Sequence, residues 1–187
     1  MNRIIKTALA TLAATAALAL TACEQANTCT YDASANTLSC SEKTYKTAKI
    51  GEKVWMAENI DIYTPDSSIC YGNDHTNCET MGRLYTWNAA TTGLCPKGWA
   101  LPTQQDFKEA FGNANAAALK EEASFGMKFA GFRYFDGKFA DKGASASFWT
   151  SDSYDDSRAY LVRATDTSIT YEHFNKNIFA SVRCVKE

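Results

Sequence analysis

The sequence predicts an α+β fold, and three observations carry that reading. Short segments that alternate apolar and polar residues open the chain after residue 29, a capped amphipathic segment follows, and aromatic-rich alternating segments close it. CTYDASANTLSC, residues 29–40, sets the turn formers Asp32, Ser34 and Asn36 between two short arms, which predicts a hairpin. YKTAKIGEKVWMAENI alternates on both sides of Gly51 and predicts two strands joined by a tight turn, with Trp55 and Met56 entering the core. The clearest helix start is LPTQQD, where Thr103 can accept from the Asp106 amide while the Asp106 carboxylate favours the positive helix end. Phe107, Ala110 and Phe111 then share a face, and Gly112 supplies the stop. Residues 116–123 form a second, weaker helix candidate. Asp136-Gly137 between FRYF and KF predicts another hairpin, and SFWTSDS, AYLVRAT, SITYEHF and FASVRCVK predict antiparallel strands.

The amino terminus reads as an export signal. Arg3 and Lys6 precede TALATLAATAALALTA, an uncharged run too short to cross a bilayer and followed by small residues. Its end, Leu20-Thr21-Ala22-Cys23, resembles the bacterial lipobox, in which the cysteine is acylated after the signal is cut away. The expected organisation is a signal over residues 1–22, an acylated Cys23 with a short tether over residues 23–28, and one domain over residues 29–187. The alternative is ordinary secretion with cleavage near Ala22, which leaves Cys23 a plain thiol. Glu24 stands where an aspartate would resemble an inner-membrane retention signal, so the expected location is the outer membrane, lipid-anchored and facing the periplasm or the cell surface.

Charge narrows the partners. Two of the 19 basic residues and none of the 21 acidic ones fall in the signal, which leaves 17 against 21 and a net charge of −4. No basic run stands out, and nucleic acid is not expected as a partner. Of the seven cysteines, removal of Cys23 leaves six, an even set suited to disulfides in an oxidising compartment.

GEKVWMAENI, CYGNDHTNC, GRLYTWNAA, CPKGWALPT, FWTSDS and SVRCVK, in that order, resemble the Fibrobacter succinogenes major paralogous domain family of bacterial exported proteins and lipoproteins. The resemblance runs from about Tyr45 to Lys186. It implies a C-type-lectin-like fold, with two helices packed on a twisted antiparallel sheet, a long irregular loop region and disulfide staples. It leaves the activity undefined, since a shared fold does not supply a function. Spacing alone does not choose among the many pairings of six thiols. The hairpin between them suits a bond of Cys29 with Cys40, outside the family core, and with the resemblance the other expected pairs are Cys70 with Cys78 and Cys95 with Cys184, the last like the long disulfide of lectin-like domains.

No catalytic constellation is visible. The sequence has no HExxH, GxSxG, P-loop or Rossmann fingerprint, and the two histidines, His75 and His173, lack metal-ligand spacing. Cys95 has no CxxC partner or nearby histidine and is read as structural, and a formylglycine-generating copper site does not fit the cysteine spacings. No cofactor is expected. Calcium is the one candidate, through Asp152, Asp155 and Asp156, and the calcium–sugar motifs of true C-type lectins are missing from the sequence. Trp87, Trp99 and Trp149 are expected in the core. Tyr134, Tyr154, Tyr160 and Tyr171, with Arg133 and Arg158, are the candidate ligand-binding surface, because a tyrosine pairs an apolar body with a polar tip. The expected function is therefore a non-catalytic surface lipoprotein used for binding or adhesion, with plant-cell-wall polysaccharide as the partner that the family's setting suggests. The alternative is a structural or protein-interaction lipoprotein of the cell envelope.

Overall fold

The computed structural model describes residues 29–41, 43–112, 119–120 and 125–187. The first described elements are the hairpin β1 (Thr30–Asp32) and β2 (Thr37–Ser39), turned by Asn36 at φ 52°. β3 (Thr44–Ile50) and β4 (Lys53–Met56) follow, joined through Gly51 at φ 60°, a conformation that glycine adopts without strain. Next come β5 (Ser68–Ile69), a 3-10 turn at Tyr71–Asn73, α1 (His75–Met81), β6 (Leu84–Tyr85), α2 (Trp87–Thr91), β7 (Trp99–Ala100) and α3 (Gln104–Phe111). The rest is strand: β8 (Phe132–Arg133), β9 (Phe139–Ala140), β10 (Ser145–Ser153), β11 (Arg158–Thr165), β12 (Ile169–Asn175), β13 (Ala180–Ser181) and β14 (Val185–Lys186).

Two six-stranded sheets and a two-stranded ribbon result, ordered β1-β2-β3-β4-β14-β7, β12-β11-β10-β13-β6-β5 and β8-β9. Neighbours are antiparallel except β10 with β13. The balance is mostly β, with three short α-helices among the described residues, where the sequence led us to expect a more even mixture. The helix candidate at residues 116–123 lies, apart from Leu119 and Lys120, outside the described residues. Conversely, CYGNDHTNC holds a helix that its loop-like composition concealed: Asp74 accepts from the Thr76 amide at 3.0 Å and starts α1.

FASVRCVK is two strands instead of one. Its front half, β13, lies beside β10 and β6, while its back half, β14, sits between β4 and β7 in the other sheet. The reason is Arg183, fully buried between the two halves. Its guanidinium donates to Asn59 Oδ1 at 2.7 Å, to the Gly126 carbonyl at 2.8 Å, to the Phe125 carbonyl, and at 3.4 Å to the Met56 carbonyl. Burial pushes its pKa down, to about 9, with Glu58 opposing, so it remains a cation at neutral pH. Three carbonyls and the Phe125 ring, 4.2 Å away, solvate it in place of water.

β10 and β11 are covered on both faces, and their alternation divides the core in two. Trp149, Ala159 and Leu161 face one cluster with Tyr85 and Val182, while Phe148, Val162 and Ala164 face another with Phe107, Phe111 and Phe125. α3 closes the second cluster, and its start is a complete capping box: Thr103 accepts from the Asp106 amide at 3.0 Å and donates its own amide to Asp106 at 2.8 Å. Trp55, Trp99 and Trp149 are buried, and Trp87 is half-buried. Disulfides join Cys29 to Cys40, Cys70 to Cys78 and Cys95 to Cys184, so each described cysteine is paired. Cys23 lies outside the described residues.

Candidate functional site

β10 and β11 meet at an acidic turn, and its residues build an exposed aromatic face. The ladder sets Tyr160 opposite His173 and Val162 opposite Tyr171, so strand alternation puts Tyr160, Tyr171 and His173 on one side. Tyr154 folds back from the turn and stacks on His173, with ring centres 3.9 Å apart and planes 13° from parallel. Tyr160 meets Tyr154 edge-on at 5.4 Å. Tyr154 remains 45% exposed, which leaves area for a ligand to cover. Arg158 lies over its ring at 4.7 Å, and Lys108 of α3 lies over Tyr171 at 5.2 Å.

An ion pair fixes the turn. Asp155 accepts from Arg158 Nε at 2.7 Å and Nη2 at 2.6 Å, and also from the amides of Ser157 and Arg158. The Arg158 bond is the main cause that holds the Asp155 carboxyl well below the usual range, and the same bond raises the Arg158 guanidinium. Burial raises the Tyr171 phenol. These rings present planar apolar faces beside fixed donors, a surface suited to stacking and hydrogen bonding.

The structure therefore brings together four of the six residues proposed from the sequence, Tyr154, Arg158, Tyr160 and Tyr171, and adds His173. Arg133 and Tyr134 stand elsewhere, on the β8–β9 hairpin. Arg133 covers Phe179 at 4.9 Å, and Tyr134 packs edge-on against Phe132, which contacts Phe174 on the opposite face of β12. Phe135, 68% exposed at the tip of that hairpin, is a surface ring that the sequence reading did not single out.

Sequence reasoning also missed a groove of about 610 Å³ between α2, α3, β7 and β14. Trp87 and Trp99 supply rings, Thr91 and Ser151 supply hydroxyls, and Lys53 pairs with Asp106 at one side. Burial raises the Asp106 carboxyl, but bonds from Lys53 and Thr103 outweigh it and the net pKa is lowered; the Lys53 ammonium is raised by the same contact. Neither group is poised to move a proton near neutral pH. Asp152, one of the proposed calcium ligands, accepts from the Gln104 amide at 2.6 Å, and Asp155 is held by Arg158. Among the described residues, no group of three or more His, Cys, Asp or Glu side chains could hold a metal ion.

The Fibrobacter succinogenes major domain model matches residues 48–113. No curated protein and no solved structure matches. The matched segment includes Lys53, Trp87, Thr91, Trp99 and Asp106 of the groove, whereas Tyr154, Tyr160 and His173 lie beyond it. No helix among the described residues is long and apolar enough to cross a membrane.

Proposed function

We propose that this protein is the binding module of a surface lipoprotein, C-type-lectin-like in architecture, and that it holds polysaccharide against the Tyr154–His173 face. The observation that carries the reading is the exposed stack of Tyr154 on His173, edged by Tyr160 and gripped at its turn by the Asp155–Arg158 pair. A sugar ring has apolar C–H faces and equatorial hydroxyls, and an aromatic face beside fixed polar groups meets both. Support for the lectin-like architecture comes from β14, which returns the end of the chain to β4, and from the Cys95–Cys184 bond across that return. Support for the lipid anchor comes from thiol counting: six of the seven cysteines are paired with one another, which leaves Cys23. Only Glu24 to Thr28 separate it from Cys29, so an anchored domain would sit against the outer membrane.

The test is retention of the oxidised protein on insoluble cellulose and xylan. Saturable retention that Tyr154→Ala weakens by about tenfold, or 1.4 kcal/mol, agrees with the reading. Absence of retention on every glycan refutes it, and mass spectrometry that finds Cys23 unacylated refutes the anchor. A second reading, an envelope protein that binds another protein, has its own support in Phe135 and Tyr134, 68% and 39% exposed at one hairpin tip. Phe135→Ser would then abolish crosslinking to a single envelope protein and leave glycan retention unchanged.

A further inference from the structure

The groove between α2 and α3 has no role in the reading above, and its position gives it one. We infer that it is a second subsite for the same glycan, entered by the chain as it leaves the Tyr154 face, so that the protein recognises the interior of a long polysaccharide instead of one terminal sugar. The inference rests on the carbohydrate-binding reading and specifies its substrate class.

Two separate routes of contact join the groove to the aromatic face. In the first, Trp87 on the groove wall donates its indole N–H to the Thr150 carbonyl at 2.8 Å, and the Thr150 hydroxyl donates to the Tyr160 carbonyl at 3.0 Å. In the second, Lys176 lies 4.3 Å over the Trp87 ring and donates to the Asp155 carbonyl at 2.8 Å, while the Asp155 side chain grips Arg158 over Tyr154. The groove and the aromatic face are therefore both tied to the same short stretch of β10 and its turn.

The groove's chemistry selects the occupant. Its volume of about 610 Å³ lies in the range of small-ligand sites. Its walls combine indole rings with hydroxyls and the Lys53–Asp106 pair, so a chain inside meets stacking surface, donors and acceptors together. A purely apolar ligand would have to desolvate that ion pair without replacing its water, which opposes binding. A hydroxyl-rich chain replaces the water directly. The walls are also held before any ligand arrives, by the capping box at Thr103 and by the disulfide from Cys95, so binding orders little protein.

Thr91 supplies a clean probe. It is exposed on α2, and among the described residues its hydroxyl bonds back to the carbonyls of Trp87 and Asn88, so Thr91→Trp fills the groove without opening the core. Thr91→Arg is the second blocking variant, should the first fail to fold. Affinity of the oxidised protein for cello- and xylo-oligosaccharides, from disaccharide to hexasaccharide, is measured by titration calorimetry. The expected result is affinity that rises at least about tenfold with length and then levels. The blocking variant should remove that gain and keep disaccharide affinity, while Tyr154→Ala should weaken every length. Affinity independent of length, or a length gain that survives in the blocked protein, overturns the inference and leaves the carbohydrate-binding reading standing. If the unaltered protein binds neither these oligosaccharides nor insoluble polysaccharide, both fail.

Discussion

The Cys95–Cys184 bond should be the most stabilising covalent link among the described residues, and replacing both cysteines by alanine tests this. The bond closes a loop of sequence separation 89, against 11 for Cys29–Cys40 and 8 for Cys70–Cys78. In the chain-entropy description, closing the longest loop is worth about 4.6 kcal/mol at 25 °C, against about 2.8 and about 2.5 kcal/mol for the two shorter ones. That loss is a large fraction of a typical stability of about 5 to 15 kcal/mol. The site adds to it, because Cys184 is fully buried in the first core cluster and truncation to alanine leaves a space there. Equilibrium urea unfolding of the double variant should show a midpoint far below that of the parent. Thermal unfolding should begin roughly 9 to 18 °C lower, at about 2 to 4 °C per kcal/mol for a chain of this size. The Cys70→Ala/Cys78→Ala variant serves as the internal standard. If it loses as much stability as the Cys95 variant, or if the Cys95 variant loses under about 1 kcal/mol, loop closure is not what this bond contributes.

Three further outcomes follow from individual residues. Arg183→Met removes the donor of the Phe125 and Gly126 carbonyls and of Asn59 Oδ1, and should cost about 3 to 5 kcal/mol by urea unfolding, with Arg183→Lys recovering only part of it. Asp106→Ala breaks the capping box and the Lys53 contact and should cost about 1 kcal/mol at pH 7. Because the Asp106 pKa is depressed in the folded protein, its contribution is present above the ordinary carboxylate value and fades as pH falls through the folded one. The variant should therefore lose less stability on acidification than the parent when unfolding midpoints are compared down the acid range. Gly131→Ala should cost about 2 kcal/mol or more, since Gly131 sits at φ 66° and an added Cβ would fall 2.2 Å from the Ala140 carbonyl oxygen; a variant of parental melting temperature would contradict this.

What the sequence disclosed is what is settled within a few residues of itself. The capping box at Thr103, the glycine turn between β3 and β4, and the Asp136-Gly137 hairpin each depend on side chains two to four positions apart, and each stands where it was read. The aromatic face was half legible for the same reason. Tyr154 lies in one turn, with Arg158 and Tyr160 on the strand that leaves it, and a strand pair with a short connection brings Tyr171 to the same side. His173 joins the face through the register, which sets it opposite Tyr160 and under the Tyr154 ring, a placement that its neighbours in sequence do not announce. Arg133 and Tyr134 were grouped with these by proximity to another hairpin, but alternation on β12 sends Phe174, their neighbour through Phe132, to the far face.

The features that the sequence hid are those that need distant parts of the chain to meet. FASVRCVK reads as a single strand because nothing within it announces that Arg183 will find its carbonyls at Met56, Phe125 and Gly126, and that those contacts divide the segment between two sheets. The groove has the same origin: Lys53 comes from β4, Trp87 and Thr91 from α2, Asp106 from α3 and Ser151 from β10. Its walls are set by β14, seated between β4 and β7, and by the bond from Cys184 to Cys95. The aromatic face needs little beyond a hairpin and a neighbouring strand, whereas the groove needs closure of the whole chain. Recognition of a long glycan by both surfaces would therefore depend on the disulfide that a short sugar on Tyr154 could do without.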